Sequence, residues 1–193
     1  FFSTLSGTIN YGGSCSRDNN TAVADNNTIT FNALADGTYD NCTVSVTNNG
    51  IRSDNLSVRS FTIDKMAPTL DNVTIASNNS VSTLAKTGNR ITLSITSEET
   101  IQTPSVSIAG QAATVTGDNM TWSAAYTMTN SNTEGSVSLN IGFSDLAGNA
   151  GSAVTSTTNN GSAVRFDRTA PILDEFTPVP TPTADNASTH TLS

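Results

Sequence analysis

The chain has 193 residues, of which 12% are charged, with eight Lys or Arg against 16 Asp or Glu, a formal net charge of -8 and a pI near 4.3. Phosphate recognition needs clustered basic side chains, and the few here are scattered, so composition speaks against a nucleic-acid partner and suits a secreted protein or a cation binder. No apolar run is long enough for a membrane span, and any leader or anchor is expected outside this stretch.

Taken in chain order, the first predicted feature is the cysteine pair. Cys15 and Cys42 are the only cysteines, and no histidine or further cysteine stands near enough to complete a tetrahedral zinc site. They are read as a disulfide, which implies an oxidising compartment. Strands are predicted over 28–34, 43–47 and 57–64, with Asp36-Gly37-Thr-Tyr39 as a corner turn whose Tyr39 hydroxyl ties the loop to the backbone. The opening strand of this unit is missing and is expected before Phe1.

From 88 to 167 the apolar residues alternate with period two, the pattern of strands with one face on a core. Strands are expected over 73–76, 90–96, 104–109, 113–116 and 121–129. The row Val137, Leu139, Ile141 and Phe143 follows, then a polar loop over 148–162, and Val164 with Phe166 closes the unit. Seven short strands without helical periodicity predict an all-β fold, an immunoglobulin-like Greek-key sandwich.

The chain also repeats itself. Phe61-Thr-Ile-Asp64-Lys-Met-Ala67-Pro68 returns as Val164-Arg-Phe166-Asp167-Arg-Thr-Ala170-Pro171, 103 residues on. His190-Thr-Leu192-Ser193 matches the start of Ile91-Thr-Leu93-Ser-Ile95, with Phe1 supplying the next apolar residue when the text is read as a circle. The expected division is 1–66, a sandwich lacking its first strand; 67–169, a complete one; and 170–193, the opening strand or strands of a following one. At each joint Pro68 or Pro171 fixes its own φ and extends the preceding alanine, so successive sandwiches should form a stiff rod. The tail Pro178-Val-Pro180-Thr-Pro182 repeats the device.

These motifs, together with Asp145-x-Ala147-Gly148-Asn149 and Gly12-Gly-Ser-Cys15, resemble the bacterial immunoglobulin-like tandem repeats of large repetitive surface proteins and adhesins. The resemblance implies an extracellular location on the bacterial surface and a role as stalk or filament, with calcium stiffening the junctions in some members. The chain departs from that pattern at Asn48-Asn49-Gly50, which replaces the Asp-x-Ala-Gly-Asn turn, and at Lys65-Met66 in the first joint.

Catalytic chemistry finds no support in the sequence. The single histidine, His190, falls at a core position, and Glu98 and Glu99, as neighbours on a strand, would face opposite ways and read as a solvated turn. Calcium is the one cofactor to weigh, with Asp64 and Asp71 flanking the first joint, Asp167, Asp174 and Glu175 flanking the second, and Asp145 in a turn expected near the second. The alternative is that each aspartate accepts hydrogen bonds from turn amides. The leading expectation for function is a non-enzymatic structural repeat, a spacer or filament subunit whose partners are copies of itself, joined covalently or head-to-tail by strand pairing. The alternative is a glycan- or ligand-binding module of an adhesin or carbohydrate-active enzyme, using Trp122 and Tyr126 as an aromatic platform; both share the inward phase of their strand, which favours core packing.

Overall fold

The computed structural model describes residues 1–155 and 158–174, all of them strand, turn or irregular, with no helix. The tail carrying Glu175, His190 and the proline repeats lies outside the described residues, as does most of the strand expected after 170.

Residues from Leu70 to Phe166 form a β-sandwich-like unit. One antiparallel sheet has the order Thr114–Asp118, Thr121–Thr127, Arg90–Ser97, Leu70–Ser77. The facing sheet runs Gln111–Ala112, Ser105–Ile108, Leu139–Gly142, Val154–Thr155. A third ribbon pairs Gly135–Ser136 with Arg165–Phe166 and, in parallel, Arg165–Phe166 with Leu84–Ala85, so the opening segment contributes first to one sheet and then to another. Between them lies one core of Val73, Ile75, Ile91, Leu93, Ile95, Val106, Ile108, Trp122, Leu139, Ile141, Phe143, Val164, Phe166 and their neighbours. Ile91, Leu93 and Ile95 are fully buried on alternate positions of one strand, as the period-two pattern requires. Each such side chain contributes about 1.5–3 kcal/mol of burial.

The boundaries differ in instructive places. The inward row from Val137 is split, because Gly135–Ser136 pairs with Arg165–Phe166 while Leu139–Gly142 pairs with Ser105–Ile108 and Val154–Thr155. The loop expected over 148–162 therefore contains a strand, Val154–Thr155. The short connector expected over 113–116 is Thr114–Asp118, one arm of a hairpin with Thr121–Thr127. Trp122 is buried and its Nε1 donates to the Asn119 carbonyl at 3.3 Å, while Tyr126 is half-buried and donates to Asn132 Oδ1 at 3.3 Å. The aromatic pair packs against the core.

Residues 1–63 build a smaller assembly. The sheet order is Thr21–Ala22, Gly7–Gly12, Thr43–Asn48, Ile51–Arg52, with Leu56–Ser57 also on Thr43–Asn48, and a separate pair joins Gly37–Tyr39 to Phe61–Ile63. The six-residue strand Gly7–Gly12 has no counterpart in the sequence reading, since its Gly-Thr-Ile-Asn-Tyr-Gly text offers a single aliphatic position. The strand predicted over 28–34 does not form. Its counterpart by repeat, Thr121–Thr127, is held on one side by Arg90–Ser97, and the first half has no described strand in that place.

The disulfide forms as expected, with Cys15 and Cys42 both buried and their Cα atoms 5.4 Å apart. It lies just beyond the Gly12–Thr43 pair and so staples two neighbouring strands at one end. On the loop-closure estimate it stabilises the first half by about 3–4 kcal/mol. Replacing both cysteines by alanine should therefore lower an early transition seen by far-ultraviolet circular dichroism. The fluorescence of Trp122, the one tryptophan, should keep its denaturation midpoint; a shift of both together would show that the halves unfold as one.

Candidate functional site

The joint between the halves is where the chemistry-bearing side chains converge. Phe61–Ile63 ends at Asp64, whose Oδ1 accepts the Met66 N–H at 3.0 Å, and the chain then passes through Pro68, which is fully buried, into Leu70–Ser77. The second copy turns the same way: Asp167 Oδ1 accepts the Thr169 N–H at 2.9 Å, although Pro171 there is exposed. In both places the aspartate caps its own turn. The flanking charges repeat too, Lys65 Nζ lying 4.0 Å from Asp36 and Arg168 Nε 3.7 Å from Glu134. The Arg168 N–H, with help from the Thr169 hydroxyl, holds the Glu134 carboxyl below its ordinary value. Such exposed ion pairs are worth about 0–1 kcal/mol each.

Asp145 corrects the expected geometry. Its turn follows Leu139–Gly142, which runs towards the end where Leu70–Ser77 begins, so the turn packs at the first joint and away from the second. Asn149 Nδ2 donates to the Asp64 carbonyl at 3.0 Å, and Gln102 Nε2 donates to the Asp145 carbonyl at 2.8 Å. The Asp145 carboxylate is buried at 1% exposure and hydrogen-bonded through both oxygens: Oδ1 accepts from the Gly148 and Asn149 N–H groups at 2.6 and 2.8 Å, and Oδ2 accepts one bond, from Asn149 Nδ2 at 2.7 Å. Gly148 sits at φ +98°, a conformation glycine adopts without strain. Burial by itself would raise the Asp145 pKa, but the Asn149 side chain and the N–H groups of Asn149, Gly148 and Ala147 outweigh it, and the net displacement is downward.

Asp64, Glu99 and Asp145 bring one carboxylate oxygen each to within 4.8 Å of one another. Glu99, read from sequence as part of a solvated turn, is the member that reading missed; its loop, bridged at Ile101 to Asp145, carries it there. Among the described residues Asp71, Asp167 and Asp174 do not join the cluster; all three are exposed, and Glu175 lies outside the described residues. Among the described residues neither a calcium set at the second joint nor a shared role for Asp71 is assembled. In the first half the equivalent turn is the tight hairpin Asn49-Gly50, with both residues at positive φ and no carboxylate to offer.

Comparison of the chain with protein families, curated proteins and solved structures finds no match.

Because the Asp145 pKa is depressed by folding, its contribution is complete above the unfolded aspartate value of about 3.9 and is lost as pH falls through the lower folded value. Asp145→Asn should lower Tm at neutral pH and flatten the acid limb of the Tm-against-pH curve; parallel acid limbs would contradict this. Three carboxylate oxygens suit a hard cation of calcium's preference. A melt decides whether the cluster takes such a cation: a Tm raised by millimolar calcium, restored by chelator and raised less in Glu99→Gln would put calcium at the joint, and a melt indifferent to both additions would remove it.

Proposed function

We propose that the chain is a structural repeat of a bacterial extracellular filament or adhesin stalk, a stiff spacer that works by joining to copies of itself rather than by catalysis. The units are read as immunoglobulin-like sandwiches. Lettered in chain order, the second half has A-B-E-D against C′-C-F-G, with the first segment crossing over to run parallel to the last strand, an arrangement consistent with that fold. The first half matches only the second of these sheets: Gly7–Gly12 and Thr21–Ala22 take the place of Ser105–Ile108 and Gln111–Ala112, and Thr43–Asn48 with Leu56–Ser57 that of Leu139–Gly142 with Val154–Thr155.

One observation carries the reading: residues 1–3 repeat the hydrogen bonding at the end of Arg90–Ser97. The Ile95–Trp122 pair and the bond from Ser97 N to the Met120 carbonyl are reproduced by the Phe1–Asn27 pair, at 3.0 and 2.7 Å, and by Ser3 N to the Asp25 carbonyl at 3.0 Å. This likeness in hydrogen bonding supports the circular register. A partner strand for residues 28–34 and a cover for the first sheet are then to come from a neighbouring copy, in the role that Leu70–Ser77 and Arg90–Ser97 play in the second half. The burial of Trp122 counts against the glycan-platform alternative. An oxidised Cys15–Cys42 pair accords with an extracellular site.

Fusing two copies end to end, Ser193 to Phe1, tests this. Small-angle scattering should give an elongated particle with three complete sandwiches, and the restored middle unit should melt above the first half of a single copy. Two compact lobes on a floppy tether, with no gain in melting temperature, would contradict it.

A further inference from the structure

The two facing sheets of the second half have four edges, and one is much longer than the rest. Gln111–Ala112 and Val154–Thr155 end one sheet with two residues each, and Thr114–Asp118 ends the other on one side. The remaining edge is Leu70–Ser77, eight residues paired along one side by Arg90–Ser97 and, among the described residues, by no strand along the other. A free edge of that length is a template for another chain. Here its outward N–H groups are taken one by one. Val73 N–H donates to Asn159 Oδ1 at 2.7 Å, Ile75 N–H to Ser162 Oγ at 2.9 Å and Ser77 N–H to the Ser82 carbonyl at 2.8 Å, while Asn159 Nδ2 donates to the Asp71 carbonyl. The Asn159 amide thus serves residues 71 and 73 with a donor and an acceptor, as the backbone of a neighbouring strand would. Its loop aims these groups: buried Thr158 donates to the Ser162 carbonyl at 2.7 Å, and the Ser162 hydroxyl donates to Thr158 Oγ1 at 3.2 Å, which leaves its lone pairs for Ile75. An open hollow of about 350 Å³, lined by Leu70, Val73, Val154 and Asn159, lies between this edge and Val154–Thr155. The two edges do not pair, and polar side chains stand where a strand would.

We propose that residues 158–162 are a side-chain guard over a self-association edge, and that with the guard removed Leu70–Ser77 pairs with the same strand of a second copy of this chain. The occupant follows from the parity of the strand. Its outward groups belong to residues 71, 73, 75 and 77, so antiparallel pairing about Thr74 sets Val73 of one copy opposite Ile75 of the other, where the two exchange both ladder bonds. That arrangement has two-fold symmetry, closes on itself and makes one continuous sheet from two. The buried side chains of Val73 and Ile75 stay in their own core, and Thr74, partly exposed on the outer face, meets Thr74 of the second copy. A second Leu70–Ser77 is also the longest edge that the facing sheets of a copy offer. Such a guard suits a protein that works among copies of itself, because it keeps units from fusing along their sides.

Sedimentation velocity of the intact chain tests this. The chain carrying Asn159→Ala and Ser162→Ala should gain mass over the unaltered chain, towards a pair, as concentration rises. Adding Thr74→Lys sets like charges opposite each other across the two-fold and should return that double variant to the mass of the unaltered chain. Mixing it with the double variant that carries Thr74→Glu instead should restore the pair. Asn159→Asp keeps the acceptor for Val73 and loses the donor to the Asp71 carbonyl, so it should show the same gain to a smaller degree. It decides the matter if the double variant loses the folded fluorescence of Trp122. No gain in mass in either guard variant, or a gain that Thr74→Lys leaves in place, overturns the proposal.

Discussion

A strand laid over a core must find partners for its backbone N–H and C=O groups, and in this protein that requirement separates the two halves. In the second half every long strand has a neighbour, and two sheets close over a single apolar core. In the first half a five-stranded sheet and a separate two-stranded pair form, the disulfide braces the larger sheet, and Phe31 within residues 28–34 lies edge-on to Tyr11 of that sheet and stacked on Phe61 of the pair. Its cover lacks a ladder beyond Phe1–Asn27. Propensity alone cannot make 28–34 a strand, because strand stability resides in cross-strand pairs and burial rather than in the segment's own preference.

The joint shows how the halves are tied where one chain passes from the first into the second. Asp64 caps its own turn, Asn149 reaches back to the Asp64 carbonyl, and Pro68 is buried at the entrance to Leu70–Ser77. The contacts at this point are hydrogen bonds between turns and a buried proline whose ring fixes its own φ. The same Asp-x-x turn and the same charge pairing recur at Asp167 and Arg168, so the exit from each unit is built alike.

What could be read from the sequence was set by periodicity and by marked residues. Alternation placed Ile91, Leu93, Ile95, Val106, Ile108, Ile141 and Phe166 in the core, and two isolated cysteines gave the disulfide. Tyr39 ties its corner as expected, donating to the Ala35 carbonyl at 2.9 Å. Gly7–Gly12 was illegible because its sequence is polar and glycine-bounded, and only its pairing to Thr43–Asn48 makes it a strand. The site misled for a topological reason. Which end of a sandwich a turn occupies depends on strand direction, so Asp145 and Glu99 meet Asp64 across the first joint, which linear proximity to Asp167 does not reveal.

Amide hydrogen exchange on the single-copy chain at low concentration tests the incomplete first half most directly. The account predicts slow exchange at Ala124, Ala125 and Tyr126 and fast exchange at their counterparts Ile29, Thr30 and Phe31. Equal protection at the two sets of positions would mean that the first half is already closed on its own, and would contradict it.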